Sequence, residues 1–272
     1  MDTRSPLYRR YWKLRSIIAP GLCYSQSIYE GVLREHGPAA RRWLDLGSGH
    51  QLLPPWRDEQ ERELVANSGT LVAFDRDANA LRQHATLTRR VLGDMASLPF
   101  LDGSFDLVTA NMVFEHVQDP KTALGEIGRI LRPGGRLVFH TPNVFGYTTA
   151  LSVLLPELLK KPVAHCLHGR AAKDVYPTFY RFNSRRAIRR LADSTGFVVR
   201  GFRMIVSDAQ FAVVPIVRVG ELLLLRLLMT RLLRPFRTNI IAVLERRDDL
   251  APRLASFPTA CFRPNVFAHQ PN

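Results

Sequence analysis

Four apolar segments of this chain each end in a side chain that can accept a hydrogen bond. A carboxylate after the second segment suits two hydrogen bonds to a sugar diol, and a polar side chain after the third can hold an adenine amino group. Because the ends of parallel strands meet at one edge of a sheet, these side chains are predicted to line one crevice. The four residues are Asp45, Asp75, Asp94 and Asn111.

A glycine turn follows the first of these segments. Trp43 and Leu44 lie in a run that predicts a strand covered on both faces, and Gly47 and Gly49 come directly after it. Neither glycine has a Cβ, so the backbone can bend sharply and lie close to a ligand. A nicotinamide dinucleotide site requires another glycine three residues further on, and this sequence has Leu52 there. The turn therefore argues against an NAD(P) enzyme.

Strands that alternate with helices are predicted to position these residues. Such alternation is typical of an α/β fold whose mostly parallel sheet has helices on both faces. The predicted strands are residues 42–46, 70–74, 91–92, 105–110, 136–140, 197–206 and 238–245. The predicted helices are residues 26–35, 57–67, 78–87, 120–131 and 185–194.

Several motifs, taken together, resemble the class I S-adenosylmethionine-dependent methyltransferases of the type 11 branch. The resemblance is strong over residues 40–142 and extends over residues 184–246 only as a topology. It implies a doubly wound, mostly parallel, seven-stranded Rossmann-like sheet with helical insertions, and S-adenosyl-L-methionine as the cofactor. The motifs are Leu44-Asp45-Leu46-Gly47-Ser48-Gly49, Asp75, Gly93-Asp94 followed by Leu98-Pro99-Phe100, Ser104-Phe105-Asp106, Glu115-His116 and Leu131-Arg132-Pro133-Gly134-Gly135.

The same resemblance implies which residues contact the cofactor. The first acid and the glycine turn would meet its methionine end, the second acid its ribose and the third its adenine. Gln51 stands where the family often has a third glycine, which puts the backbone path of the turn in question. The implied cofactor residues are Asp45, Gly47, Ser48, Gly49, Asp75, Arg76, Asp94, Met95 and, beside the sulfonium, Asn111.

Two histidines are candidates for the catalytic base. Methyl transfer to a hydroxyl needs a group that positions the acceptor and removes its proton, and histidine titrates near neutral pH. His116 follows the fourth predicted strand, and His140 ends the fifth. We expect His116 to be the base, with a structural role as its alternative, and His140 to be the second candidate.

Other chemistries fit the sequence less well. Enzymes that methylate amide or adenine nitrogens carry prolines after the fourth strand, whereas this chain has residues 111–114 without proline. No cysteine stands next to a strand end, so a thiol-adduct mechanism lacks its nucleophile. His165, Cys166 and His168 lack a second ligand pair, and no metal site is expected.

The domain organisation is predicted from breaks in the strand–helix alternation. Residues 1–246 are interpreted as one methyltransferase domain with an N-terminal helical segment (1–40), an acceptor-side insertion (142–183) and a leucine-rich insertion (207–236). Residues 247–272 are expected to form a tail. A long insertion in a compact domain is usually functional, so the first is predicted to cover the acceptor. Its candidate acceptor residues are Asp174, Tyr176, Tyr180 and Arg181.

The charge of the chain favours anionic partners. Lysine and arginine number 38 against 24 acidic residues, for a net charge of +14. We expect a small-molecule or a lipid- or sugar-linked acceptor, with nucleic acid less favoured. Two alternatives stay open, an RNA methyltransferase and a protein that keeps this fold without turnover. Three scattered cysteines, no signal peptide and no long uncharged run indicate a cytoplasmic protein, with membrane association left open.

The leucine-rich insertion is predicted to be a helix packed on the domain or on a second subunit, which leaves oligomerisation through residues 216–233 open. At about 100° per residue its charges spread around the helix, so a membrane-surface helix is not indicated. Its arginines could still reach toward acidic lipid. The charged residues are Arg218, Glu221, Arg226, Arg231 and Arg234.

Overall fold

A seven-stranded sheet forms the centre of the protein, whose computed structural model describes residues 6–154, 176–211 and 214–248. The strands are β1 (Arg42–Leu46), β2 (Thr70–Asp75), β3 (Arg90–Leu92), β4 (Phe105–Asn111), β5 (Leu131–Pro142), β6 (Phe197–Ile205) and β7 (Asn239–Arg246). Their order is β3-β2-β1-β4-β5-β7-β6, and β7 alone runs in the direction opposite to the other six strands. The predicted mostly parallel, doubly wound sheet is confirmed.

Helices lie between the strands, as the alternation predicted. Asp119 accepts hydrogen bonds from the amides of Lys121 and Thr122 and so begins one helix, and Ser184 begins another by accepting from the Ala187 amide. The helices are α1 (Pro6–Ile18), α2 (Ser25–His36), α3 (Asp58–Ala66), α4 (Ala78–Arg82), α5 (Pro120–Ile130), α6 (Tyr147–Leu154), α7 (Arg185–Ser194) and α8 (Pro215–Leu228). Short 3-10 helices occupy Pro55–Arg57, Phe114–His116 and Arg234–Phe236.

The structure corrects the predicted end of one helix and the predicted start of one strand. The helix predicted over residues 78–87 ends at Arg82, because the Arg90 guanidinium binds the carbonyl oxygens of Arg82 and His84 at 2.9 and 2.8 Å. The fifth strand begins at Leu131 rather than at residue 136, because Leu131 pairs with Phe105 of β4 ahead of a register shift.

The strand β1 lies in the middle of the core. Four of its five residues are buried, and Trp43, Leu44 and Leu46 are fully so. One face of the sheet packs against α5 through Leu124, while Leu33 of α2 belongs to the core on the other face. Each buried leucine contributes about 1.5–3 kcal/mol relative to an exposed one. This packing fixes the strand ends that carry the predicted site.

A third core joins α1, α6 and α8 beyond the end of the sheet. Tyr11 of α1 packs there with Leu222 and Leu225 of α8 and with Tyr147 of α6. Asp208 links the N-terminal helix to the segment after β6, because Arg15 Nε lies 3.2 Å from its carboxylate and the Tyr11 hydroxyl donates to it. In the described ranges, no helix combines the length and apolarity needed to cross a bilayer.

The charged residues of α8 lie on different sides of the helix, and Arg231 and Arg234 lie beyond its end at Leu228. Arg218 and Glu221 are buried, with exposed fractions of 7% and 6%. The Glu221 carboxylate accepts hydrogen bonds from the amides of Gln210 and Phe211, at 2.7 and 2.8 Å, and from the Tyr147 hydroxyl at 2.6 Å. Arg218 and Glu221 lie on the inward side of α8, and leucines occupy its outward side, where Arg226 is also exposed.

Candidate functional site

Asp45 is held inside the sheet by its neighbour on β4. The Thr109 hydroxyl donates to Asp45 Oδ1 at 2.6 Å, and the Trp43 indole N–H donates to the Thr109 oxygen at 2.8 Å. Burial raises the pKa of Asp45 to about 7, and the hydrogen bonds from Thr109 and Ser48 only partly offset it. The carboxyl group therefore changes its charge near neutral pH.

The two glycines of the turn differ in what surrounds them. Gly47 and Gly49 have φ angles of +64° and +57°, a region that glycine adopts without a Cβ penalty. A Cβ on Gly47 would lie 2.4 Å from Val113 Cγ2, whereas a Cβ on Gly49 would meet no atom within 4 Å. Gly47 is thus required by packing, and Gly49 borders open space that a ligand can use.

Asp75 forms hydrogen bonds with three loops at the edge of the sheet. Its Oδ2 accepts the Gly49 amide at 2.8 Å, and its Oδ1 accepts the Asp77 amide at 2.9 Å. Its backbone carbonyl accepts the Gly93 amide at 3.1 Å, which places the Gly93-Asp94 turn beside it. A carboxylate oxygen has a second lone pair, so each oxygen can still accept a hydroxyl donor.

The polar groups of Ser48 turn into the protein. Its amide donates to the Phe74 carbonyl at 3.1 Å, and its buried hydroxyl lies 3.1 Å from His84 Nε2. His84 Nδ1 accepts the Leu87 amide at 3.2 Å, so Nε2 carries the proton and donates to Ser48. Burial, followed by the charge of Arg90, lowers the pKa of His84 to about 4 and keeps the ring neutral.

Asp94 and Met95 follow β3 in the turn that Asp75 holds. Asp94 is exposed, and its Oδ1 accepts the Ala96 amide at 2.8 Å. Met95 is half-buried and packs against the core. The structure therefore brings an exposed carboxylate and an apolar side chain to the edge where the sequence predicted an adenine site.

Asn111 and His140 form a buried hydrogen-bonded chain. Asn111 donates to Gln26 Oε1 at 2.9 Å, so its Oδ1 accepts from His140 Nδ1 at 2.9 Å. Asn239 Nδ2 lies 3.1 Å from His140 Nε2 and donates to it, and the Tyr29 ring stacks on the imidazole with centroids 5.5 Å apart. Burial lowers the pKa of His140 to about 3. Because both nitrogens are engaged in a neutral ring, a positioning role is favoured over that of a base.

His116 ends the 3-10 helix that follows β4. Its Nδ1 lies 2.7 Å from the Pro177 carbonyl oxygen, an atom that can only accept. In the neutral ring Nδ1 therefore carries the proton, and Nε2 carries the lone pair that a base needs. The ring is half-buried, and the Tyr176 ring meets it edge-on at a centroid distance of 6.0 Å.

Tyr176 reaches from His116 to the loop after β2. Its hydroxyl donates to Asp77 Oδ2 at 3.3 Å, and the Arg76 guanidinium lies 4.7 Å from its ring centroid. Burial and then the charges of Asp77 and Asp75 raise the pKa of Tyr176. Since β2 and β4 flank β1, Tyr176 spans the edge above the glycine turn.

Two of the other three predicted acceptor residues lie in the described part of the chain. Tyr180 has a φ of +52°, and its amide donates to the Glu115 carbonyl at 3.3 Å. Arg181 is exposed, and its Nη1 donates to the Gln118 carbonyl at 2.8 Å, which holds this segment against the loop after β4. Asp174 lies outside the described residues.

Several residues at this edge of the sheet were not predicted as site residues from the sequence. Thr109 could have been noticed as a polar residue within a buried strand, opposite Asp45 in the register. Gln26, Tyr29 and Pro177 come from distant parts of the chain, and no local pattern indicates that they meet His140 or His116.

Known proteins are similar in sequence to the part of the chain that carries these residues. A family model described as a methyltransferase domain matches residues 44–139, which contain the glycine turn and the ends of β1 to β4. The chain is 34% identical over 197 residues to a demethylmenaquinone methyltransferase of Mycobacterium sp. (strain KMS), covering 70% of this chain and 72% of that protein.

A second relative is similar over a shorter stretch, and a solved structure shares the fold. The chain is 30% identical over 177 residues to a malonyl-acyl-carrier-protein O-methyltransferase of Methylococcus capsulatus, covering 63% of this chain and 57% of that protein. A Haloferax volcanii methyltransferase, solved with the Trm112 activator, shares the fold at a TM-score of 0.50 and 18% identity, covering 81% of this chain and 89% of that one. The chain belongs to the S-adenosylmethionine-dependent methyltransferases.

Proposed function

We propose that this methyltransferase acts on an oxygen atom of a small-molecule or of a lipid- or sugar-linked acceptor, with His116 as the base. The observation that carries the proposal is the hydrogen bond from His116 Nδ1 to Pro177, because it leaves the lone pair on Nε2. One relative is named as an O-methyltransferase, which is consistent with an oxygen acceptor. Residues 1–246 act in this proposal as one domain, since β6 and β7 complete the sheet that carries the site.

The residues at the sheet edge fit S-adenosyl-L-methionine. Gly49 borders open space, Asp75 keeps acceptor lone pairs for ribose hydroxyls, and the exposed Asp94 carboxylate can accept from the adenine amino group. When bound, this cofactor supplies a methyl group already activated on a sulfonium. Asp45, close to the turn, would supply a negative charge for the ammonium group at the methionine end of the cofactor.

The protein itself positions the acceptor and moves one proton. Nε2 of His116 would accept the proton of the acceptor hydroxyl while the oxygen bonds to the methyl carbon and the bond from that carbon to sulfur breaks. Tyr176, whose hydroxyl bonds Asp77 and whose ring meets His116, would limit the access of water from above the glycine turn. The His140 chain keeps Asn111 in one orientation at the end of β4.

An acceptor assay with variants of Tyr176 and Arg181 tests the proposal. The protein is incubated with methyl-labelled S-adenosylmethionine and pooled cell extracts, and the labelled product is analysed for an ether or ester linkage. We expect Tyr176→Phe, which removes the hydrogen bond to Asp77, and Arg181→Ala to lower acceptor turnover by roughly tenfold while cofactor binding persists. Arg189→Ala, which removes an exposed arginine of α7, is the matched control. Methyl label on nitrogen or carbon would overturn the oxygen assignment, and unchanged kinetics in both variants would leave the segment only a packing role.

The raised pKa of Asp45 predicts that cofactor affinity depends on pH. A cation beside Asp45 favours the ionised carboxylate, so binding below pH 7 must release the proton that free Asp45 holds. We expect affinity to rise by up to about tenfold per pH unit as the pH approaches 7 from below, and to level off above it. Calorimetry in buffers of different ionisation enthalpy counts the proton, and Asp45→Asn should abolish the release. A wild-type affinity that is constant from acid to neutral pH contradicts this role.

A further inference from the structure

The outward face of α8 is apolar, although it lies on the surface of the protein. Leu223 and Leu227 are 56% and 53% exposed, Val219 lies on the same side, and Leu232 beyond the helix end is 86% exposed. We call these four residues the leucine face. Arg218, the residue before Val219, is buried and does not cover this face. A face of this kind costs free energy in water unless something covers it.

The segments around the leucine face are strongly basic. Residues 6–24 and 214–238 together contain nine basic residues and one acidic residue, Glu221. Glu221 and Arg218 are buried, and Arg15 is paired with Asp208. Arg226 and Arg231 are exposed next to the leucine face, and we call these two residues its basic border. Trp12 of α1 is also exposed. The basic residues are Arg9, Arg10, Lys13, Arg15, Arg218, Arg226, Arg231, Arg234 and Arg237.

We propose that the leucine face and its basic border bind the surface of an anionic lipid bilayer. Leucine side chains enter the boundary between headgroups and acyl chains, and each nearby arginine adds attraction to acidic headgroups. Exposed tryptophan suits the same interface. A second copy of this chain would bring like charges together, and RNA would offer phosphates but no partner for the leucines.

The position of the face relates the bilayer to the predicted site. Since β5 and β6 both run antiparallel to β7, they are parallel to each other, and both end beside Asn239. Because α6 follows β5 and α8 follows β6, both helices lie at the sheet edge that carries His140. A bilayer on the leucine face would therefore contact the molecule on its site edge. Binding to a bilayer depends on α8 and the charges around it and does not require methyl transfer.

Vesicle co-sedimentation of the full chain tests the proposal. Wild-type protein should bind vesicles of phosphatidylcholine mixed with phosphatidylglycerol and should bind pure phosphatidylcholine vesicles much less. Leu223→Ser combined with Leu227→Ser should lower the partition coefficient by more than about tenfold. The matched control is Leu101→Ser, which changes a leucine that is 83% exposed in the loop before β4.

A charge-reversal pair tests the basic border without touching the leucines. Arg226→Glu combined with Arg231→Glu should weaken binding by at least about tenfold, whereas Arg189→Glu combined with Arg190→Glu, on the exposed side of α7, should change it far less. Thermal unfolding shows whether each variant is folded. Absence of wild-type binding, equal binding to both vesicle types, or a dimer that the serine pair converts to monomer without any vesicle binding would overturn the proposal.

Discussion

Replacing His116 by alanine is expected to lower methyl transfer by about 10²–10⁴-fold, while the affinity for S-adenosylmethionine stays nearly unchanged. The residue follows β4, and its Nδ1 proton is fixed by the Pro177 carbonyl at 2.7 Å. The substitution removes the nitrogen that would take the acceptor proton, but none of the groups that bond Asp75 or Gly49. Single-turnover kinetics and calorimetry on the same preparation separate the two effects.

The variant His116→Asn distinguishes a base from an anchor. An asparagine amide can donate to the Pro177 carbonyl as Nδ1 does, but it has no basic nitrogen. A base role therefore predicts that this variant is as slow as the alanine variant and loses the acidic limb of the pH–rate profile. If asparagine restores most of the turnover, His116 only holds the segment in place. His36→Ala, at the far end of α2, is the control for removal of a partly exposed imidazole.

Gly47→Ala is expected to cost about 2–5 kcal/mol of unfolding free energy and to abolish cofactor binding. The φ of +64° accounts for roughly 1–2 kcal/mol in a residue that has a Cβ. The remainder, about 1–3 kcal/mol, comes from the new Cβ, which would lie 2.4 Å from Val113 Cγ2. Denaturant unfolding measures the loss, and calorimetry measures the binding.

Gly49→Ala is the matched control for the strain of the turn. It has nearly the same φ, and its Cβ meets no atom within 4 Å, so only the backbone part of about 1–2 kcal/mol is expected. Val113→Ala in the Gly47→Ala background should recover part of the loss, because it removes the methyl groups that the new Cβ contacts. Equal losses at both glycines, with no coupling to Val113, would contradict this assignment.

The sequence by itself determined the fold class and the carboxyl edge of the sheet. Apolar runs of strand length, the glycine turn and the acids after each run all depend on neighbours within a few residues, and such local patterns can be read without coordinates. Residues 185–194 were predicted as a helix with the bounds observed for α7. The motifs were likewise sufficient for the methyltransferase family.

Only the tertiary structure shows which neighbours surround each of these residues. The sequence placed His116 ahead of His140 as the candidate base, but it did not show that His140 is buried between Asn111 and Asn239 or that His116 meets a backbone carbonyl 61 residues away in the chain. The direction in which α8 turns its charges was decided by amides near residue 210 that need the Glu221 carboxylate. Burial and long-range hydrogen bonds set both outcomes, and neither is encoded in the spacing of the residues along the chain.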